Sequence, residues 1–490
     1  MSFNFKIISK ICAVATLIVG VAMIPALLAA FFLGEMPQFK AFLFCSLTAI
    51  LIGGAFTKIL PDSKSSLKIR DGYLSIISAL LTLTLIGSLP YIFSGTTGFV
   101  DGFFESIAGF TTTSATVVGE YCLPTSLALW KATSHWIGGL CVLIYGISIL
   151  PRLGNGGQQL ATAETINPNL NKVAPKTRDI VRYILIIYVV LTLLSFGFIL
   201  LSRIGIIESL IYSFGSISTA AVNIHPNGLG HYGSFYLEFI VSIFSLLSAL
   251  SFVLYFFLLK GYYNEIKRNV EIKAYLILIA IASIACSIIL FTSPNQEFNL
   301  ESQKNIIFQV ISFASTSGFT VYDYTNWPVA INYIFLTLII IGGCSASTSG
   351  GFSVLRILIC AQLVKRGFHK RLHPRAIKPV KIGESIISAP MAASVTTFGL
   401  LFLVCLIFSM FVLSLQNLSL ETTFSAAISS LTNIGIGFGD ISYTGNYAMF
   451  NPILKLFICF EMIAGRLGLF TVFILLFPSF WRVKKRQSFN

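Results

Sequence analysis

Gly109-Phe110-Thr111-Thr112-Thr113-Ser114-Ala115-Thr116-Val117 is a hydroxyl-rich segment between two long apolar segments, and versions of it recur three more times. The later ones read Ser216-Ile217-Ser218-Thr219-Ala220-Ala221-Val222, Phe313-Ala314-Ser315-Thr316-Ser317-Gly318-Phe319, and Ser430-Leu431-Thr432-Asn433-Ile434-Gly435-Ile436-Gly437. With Ser114, Ala221, Gly318 and Gly435 as equivalent points, the intervals are 107, 97 and 117 residues. Self-similarity at such a period is read before any local pattern. Each unit is long enough for two membrane-spanning helices with a re-entrant segment between them. Non-helical backbone at membrane depth survives only where it is buried in protein or lines water. Four such segments around one axis would set small residues and backbone carbonyls along a narrow path, the arrangement of an ion filter.

The composition agrees. Of 490 residues, 55% are hydrophobic and only 11% charged, whereas a soluble chain carries roughly a quarter charged residues. An integral membrane protein is expected, all-α and polytopic. The net charge of +14 does not point to nucleic acid, because no basic run is interleaved with aromatics on a soluble domain. The nine cysteines lie mostly in apolar segments with no CxxC or metal-ligand spacing, so they read as small buried hydrophobes.

About ten spans are expected. Ile11 to Phe32 is too long an apolar run for a signal peptide and reads as an uncleaved helix. A second span covers about 41–56. The spans then come in four pairs, near 72–94 and 127–150, 183–203 and 234–259, 274–292 and 329–364, and 390–414 and 448–477. The implied organisation is 1–70 for two leading helices and a basic loop, 71–182 for repeat 1, 183–273 for repeat 2, 274–389 for repeat 3, and 390–490 for repeat 4 with the tail. Of the 33 Lys and Arg, 26 fall in the N-terminus, the loops 58–70, 151–182, 260–273 and 365–381, and the tail 482–486. All six segments share one side if there are ten spans, so the positive-inside rule makes both termini cytoplasmic and opens the four stretches outward.

Asp101, Glu208 and Glu421 lie 13, 13 and 14 residues before Ser114, Ala221 and Gly435, where a short pore helix would begin. An acid there suits the helix dipole and the free first-turn N–H groups; the alternative is an ordinary interfacial residue. Gly342 to Gly351 interrupts an apolar span with small and hydroxyl residues. It reads either as a closely packed kink or as a non-helical plug beneath the filter. Arg466 falls near the middle of the last span, where a charge costs about 3 kcal/mol unless paired or hydrated. Lys455, eleven residues earlier, shares its helix face, whereas Glu461 points elsewhere. Arg466 either faces the pore as an electrostatic barrier or binds carbonyls of a broken helix. His135-Trp136, at the outer part of a span, lacks a nucleophile or carboxylate to complete a relay, so packing is expected. Gly154-Asn155-Gly156-Gly157 is a loop after a helix, not a nucleotide fingerprint.

Taken together, these motifs resemble the Trk/Ktr/HKT superfamily of cation transporters, closest to the TrkH-type potassium-uptake subunits. The matching residues are Thr-Thr-Thr-x-Ala-Thr-Val at 111–117 and His135-Trp136-Ile137-Gly138-Gly139 opening the next helix, with Ile149-Leu150-Pro151 closing it. Further on come Thr316-x-Gly318-Phe319, Gly342-Gly343-Cys344-x-x-Ser347-Thr348-x-Gly350-Gly351, Asn433-x-Gly435-x-Gly437 and Ala464-Gly465-Arg466-Leu467. They cover roughly residues 70–485 in the right order.

The resemblance implies four M1–pore helix–M2 repeats around a pseudo-fourfold pore, a homodimer in membrane lipid, and a separate cytosolic nucleotide-binding ring of the TrkA type. It implies potassium uptake across a bacterial inner membrane with no covalent cofactor, K+ being the transported ion. The implied filter is Thr112, Thr113, Ser114, Thr219, Ala220, Ala221, Thr316, Ser317, Gly318, Asn433, Ile434 and Gly435. The implied gate is Gly342, Gly343, Ser345, Ser347, Thr348, Gly350, Gly351 and Arg466. Three positions depart from the pattern. Ser114 and Ala221 stand where potassium-selective relatives usually carry glycine, which tolerates positive φ and leaves room for carbonyls; Ser353 stands where relatives often carry lysine. Serine at the first position goes with sodium preference in related plant transporters, so a sodium-preferring or weakly selective transporter is the alternative. An enzyme would need a convergent acid, base or metal set, which this sequence does not display. An organic-solute transporter would predict inverted repeats, whereas these four units share one orientation.

Overall fold

The computed structural model describes residues 3–60, 69–119, 123–146, 177–225, 227–293, 299–375, 379–443 and 445–481. Among these the regular structure is helical, apart from a ribbon pairing Lys381–Ile382 with Ser385–Ile386. The leading segment is α1 (Phe5–Ala22), α2 (Ile24–Phe32) and α3 (Met36–Ile59). A Cβ on Gly20 would stand 2.9 Å from the Ile50 amide, and one on Gly53 2.6 Å from the Leu17 amide. The two helices therefore cross backbone to backbone, as small residues allow in lipid, and the Ser46 hydroxyl donates to the Gly20 carbonyl at 2.8 Å.

Four hairpins follow, each built around a short buried helix. The first has α4 (Ile69–Phe93), the short α5 (Phe99–Phe110) and α6 (Thr125–Ile144); the second has α7 (Thr177–Leu200), the short α8 (Ile206–Ser218) and the pair α9 (Phe235–Ser248) and α10 (Phe252–Leu259). The third has α11 (Val270–Thr292), the short α12 (Leu300–Ala314), α13 (Val329–Ile341) and α14 (Val354–Leu372). The fourth has α15 (Ala389–Ser414), the short α16 (Leu420–Thr432), α17 (Pro452–Leu467) and α18 (Leu469–Phe473).

Seven described helices, counting α1 with α2, are long and apolar enough to cross a membrane, and two bent pairs qualify if each is one span. The tenth expected span is α13 and α14, divided by the non-helical insert. The second spans expected near 234–259 and 448–477 are both bent. The chain turns by 86° between α9 and α10, and by 118° after Leu467. Gly468, at φ +90°, ends α17. The α9–α10 break is stabilised from elsewhere: the 342–351 insert supplies the amide of Cys344 to the Ala249 carbonyl at 2.9 Å and accepts from the Phe252 amide on Ala346 at 2.9 Å. Freed backbone groups are thus satisfied inside the protein, as the membrane demands.

Candidate functional site

Each short helix ends in the same cap. Thr112, Thr219, Thr316 and Asn433 have φ of 50°, 52°, 55° and 58°, the left-handed region that side chains seldom occupy. The residue after each donates its amide five residues back: Thr113 to Ala108 at 2.8 Å, Ala220 to Gly215 at 2.9 Å, Ser317 to Ser312 at 3.0 Å and Ile434 to Ser429 at 3.2 Å. This is the six-to-one bond of a Schellman cap, which usually places glycine at the left-handed position. Four non-glycine residues held there signal strain sustained by the surrounding structure. Their spacing is again 107, 97 and 117, so the structure aligns Ser114 with Ala221, Gly318 and Gly435.

All twelve filter residues expected from the sequence are buried, and contacts among them draw the four stretches together. The Ser114 amide donates to the Ile434 carbonyl at 3.1 Å and the Ala221 amide to the Ser317 carbonyl at 2.7 Å. The Ser114 hydroxyl lies between repeats, donating to the Ser317 carbonyl at 3.1 Å and accepting from the Ala221 amide at 2.8 Å. Asn433 Nδ2 donates to Thr113 Oγ1 at 3.0 Å and to the Met462 carbonyl at 2.8 Å. Thr112 Oγ1 and Asn433 Oδ1 are buried without a hydrogen-bond partner among the described residues, which leaves oxygen lone pairs for an ion. Gly318 and Gly435 sit at φ +72° and +85°, whereas Ser114 and Ala221 do not take positive φ. The level therefore presents two amides facing two carbonyls.

The segments after the caps are braced by different side chains in repeats 1, 3 and 4. Lys131 and Glu105, both fully buried, pair at 3.0 Å. Lys131 Nζ donates to the Ala115 carbonyl at 3.1 Å. Glu105 Oε1 accepts from Thr116 Oγ1 and the Val117 amide, both at 2.7 Å. In repeat 3 the Ser312 hydroxyl donates to the Phe319 carbonyl at 2.6 Å, and in repeat 4 Ser425 Oγ accepts from the Phe438 amide at 2.6 Å. Lys131 and Glu105 belong to none of the sequence motifs above, although a lysine within an apolar span is itself the signal of a functional or paired charge.

The acids at the helix starts are placed as expected: Asp101, Glu208 and Glu421 lie in the first turns of α5, α8 and α16. None of the three is the residue that caps its helix. Ser419 caps α16 by accepting from the Thr422 amide, while Gly98 and Gly205 occupy the cap positions of α5 and α8. Glu301 in α12 is a fourth such acid, displaced because α12 is longer.

The insert Gly342–Gly351 is non-helical and packs beneath the caps. The Gly350 amide donates to Thr316 Oγ1 at 2.8 Å, and Thr348 Oγ1 donates to the Ile217 carbonyl at 3.1 Å. Arg466 Nη1 donates to the Thr348 carbonyl at 2.9 Å, and its Nε and Nη2 are unpartnered among the described residues. A cavity of about 100 Å³ is lined by Arg466, Asn433, Gly465 and the insert, including Ser345, Ser347, Gly350 and Gly351. Gly342 and Gly343 lie at the insert's start, with Gly342 at φ +67°. Arg466 thus binds a backbone carbonyl and also lines this cavity. Lys455 instead reaches repeat 1 and pairs with Asp101 at 2.6 Å. Glu461 accepts from Ser430 Oγ at 2.7 Å, away from Arg466.

The placement of His135-Trp136 at the start of a helix near its outer end is corrected. Both stand midway along α6, with His135 fully buried, and Trp136 Nε1 donates to Thr192 at 2.9 Å, a packing role. Gly154-Asn155-Gly156-Gly157, Ile149-Leu150-Pro151 and the tail 482–486 lie outside the described residues.

Four re-entrant hairpins whose identically capped helices end on converging, buried, oxygen-rich stretches define a polytopic membrane transport protein of the pore-hairpin class. The family model described as TrkH, cation transport protein, matches residues 37–295 and 299–482, and the chain belongs to that family. It is 29% identical over 485 residues to the Trk system potassium uptake protein TrkH of Salmonella typhimurium, covering 98% of this chain and 100% of the relative. It is 31% identical over 435 residues to the Trk system potassium uptake protein TrkH of Vibrio parahaemolyticus, covering 86% and 87%. The crystal structure of the potassium transporter TrkH from Vibrio parahaemolyticus superposes with a TM-score of 0.87 at 27% identity, covering 98% of this chain and 100% of that one.

Proposed function

We propose that this chain carries potassium ions inward across a bacterial inner membrane, as the translocating subunit of a Trk-type system. The observation that carries the filter reading is the fourfold recurrence of the left-handed Thr/Thr/Thr/Asn cap at the ends of converging helices. Those ends carry partial negative charge, which favours a cation, and oxygens around the path replace its hydration shell. Potassium is supported by the names of the relatives.

In this reading residues 112–114, 219–221, 316–318 and 433–435 are the filter, and the insert with Arg466 is the gate beneath it. The basic loops and both termini face the cytoplasm, where they would meet a nucleotide-binding ring supplied by another polypeptide. The subunit pairs with a second copy in membrane lipid.

The test is growth of a potassium-uptake-deficient bacterium on low potassium, alongside a sodium-toxicity assay. Rescue without sodium sensitivity is the expected result; sodium sensitivity without rescue overturns it. Ser114→Gly removes the hydroxyl that crosses between repeats and is expected to raise the potassium-to-sodium permeability ratio, read as reversal potential in proteoliposomes. Arg466→Ala removes the charge at the cavity and is expected to raise potassium flux about tenfold, equivalent to about 1.4 kcal/mol of barrier. Unchanged flux and gating would discard the barrier role.

A further inference from the structure

The insert is held from three directions, one of which is the α9–α10 break that Cys344 and Ala346 bond. Toward the filter, it bonds to Thr316, Ile217 and Arg466. On its other side stands Glu271, the second residue of α11, only 6% exposed. One carboxylate oxygen of Glu271 accepts from the Ser345 backbone amide, and the other accepts from Ser345 Oγ at 2.8 Å. Ser345 belongs to the insert and is itself buried. The acid is not the cap of its own helix: Asn269 Oδ1 fills that role, accepting from the Ile272 amide at 3.1 Å. Just before it, Arg268 reaches Glu384 of the ribbon after α14 at 3.2 Å, with both side chains largely exposed. The start of α11 therefore touches both the exposed ribbon and the buried insert.

We infer that Glu271 is a latch, a positioning residue that fixes the insert beneath the filter and ties its position to the start of α11. This rests on the reading of the insert as the gate. Glu271 also accepts from the Leu355 amide at the start of α14, and a carboxylate holds such donors more firmly than a neutral acceptor does. The insert leans on Glu271 through one residue, so a small displacement of the α11 end is passed to Ser345 without an intervening flexible segment. The bonds to Thr316 and Arg466 on the filter side and to the α9–α10 break make the insert's position a balance in which Glu271 is one anchor of three. Loss of the Glu271 anchor shifts that balance away from the obstructing position.

The experiment is potassium flux into proteoliposomes bearing the full-length protein, with the potassium-to-sodium permeability ratio measured on the same samples. Glu271→Ala is expected to raise flux about tenfold, the scale of losing a charge-assisted bond, and to leave the permeability ratio at the wild-type value. Glu271→Gln keeps one acceptor oxygen for Ser345 but no charge, and is expected to raise flux less than Glu271→Ala, about threefold. Unchanged or reduced flux through folded Glu271→Ala protein, or a rise accompanied by a changed permeability ratio, overturns the latch. If Glu271→Ala does not elute as folded protein, Ser345→Ala decides. It removes one of the two bonds, so about threefold more flux supports the latch and wild-type flux overturns it. The two readings fail separately. Wild-type protein that moves no potassium, or Arg466→Ala and Glu271→Ala that both leave flux unchanged, removes the gate itself. A response to Arg466→Ala alone removes only the latch.

Discussion

Lys131→Met is expected to abolish potassium-dependent growth and to lower the yield of folded protein from membranes. The substitution leaves the Glu105 carboxylate fully buried without its cation. Breaking such a pair from one side costs about 3–5 kcal/mol, a large part of a typical total stability of roughly 5–15 kcal/mol. It also frees the Ala115 carbonyl that Lys131 holds, so the loss falls directly behind the first filter strand. The double variant Lys131→Met with Glu105→Gln separates the two effects. Glutamine carries no charge but keeps a carbonyl oxygen for Thr116 and the Val117 amide. It is expected to restore much of the folded yield, measured by fluorescence-detected size-exclusion chromatography, and only part of the transport. Equal yields for Lys131→Met and wild type would remove the argument.

Gly435→Ala is expected to stop ion flux even where the protein still reaches the membrane. Its φ of +85° already disfavours a side chain, and the added methyl would run into the backbone between Ser114 and Ala115. Backbone cannot swing aside, so Ser114→Gly should not rescue it. Gly318→Ala behaves differently. There the nearest atom is the Ser114 hydroxyl oxygen at 2.8 Å, with the Ser114 Cβ at 3.0 Å. Removing that side chain by Ser114→Gly makes room, and the double variant is expected to recover part of the flux that Gly318→Ala loses. Isotope uptake into proteoliposomes checks both pairs, and rescue of Gly435→Ala by Ser114→Gly would contradict the geometry.

These pairs also show what was legible in the chain. The fourfold repeat could be read because Thr112, Thr219, Thr316 and Asn433 each do the same local job, capping the helix that precedes them, so residue type and interval both survive in the sequence. The insert was legible for a similar reason: its glycines at 342 and 351 take positive φ inside an apolar run. The α9–α10 break was not. Ala249-Leu250-Ser251 contains neither glycine nor proline, and what stabilises the bend is the insert nearly a hundred residues later. Lys131 was hidden in the same way, since its partner Glu105 lies on another helix and no helical spacing joins them. Glu271 and Ser345 meet only after folding. Long-range polar pairing leaves no period in a sequence, whereas local capping does.

The chain is fourfold in its caps and only twofold one step further on. At the level of Ser114, Ala221, Gly318 and Gly435, the amides of Ser114 and Ala221 donate to the carbonyls of Ile434 and Ser317. A cation settling there must first displace the hydrogens bound to the Ser317 and Ile434 oxygens, each such bond worth about 1 kcal/mol net. An ion path through this level would require those two amides to rotate, which glycine at 114 and 221 would leave freer to turn away.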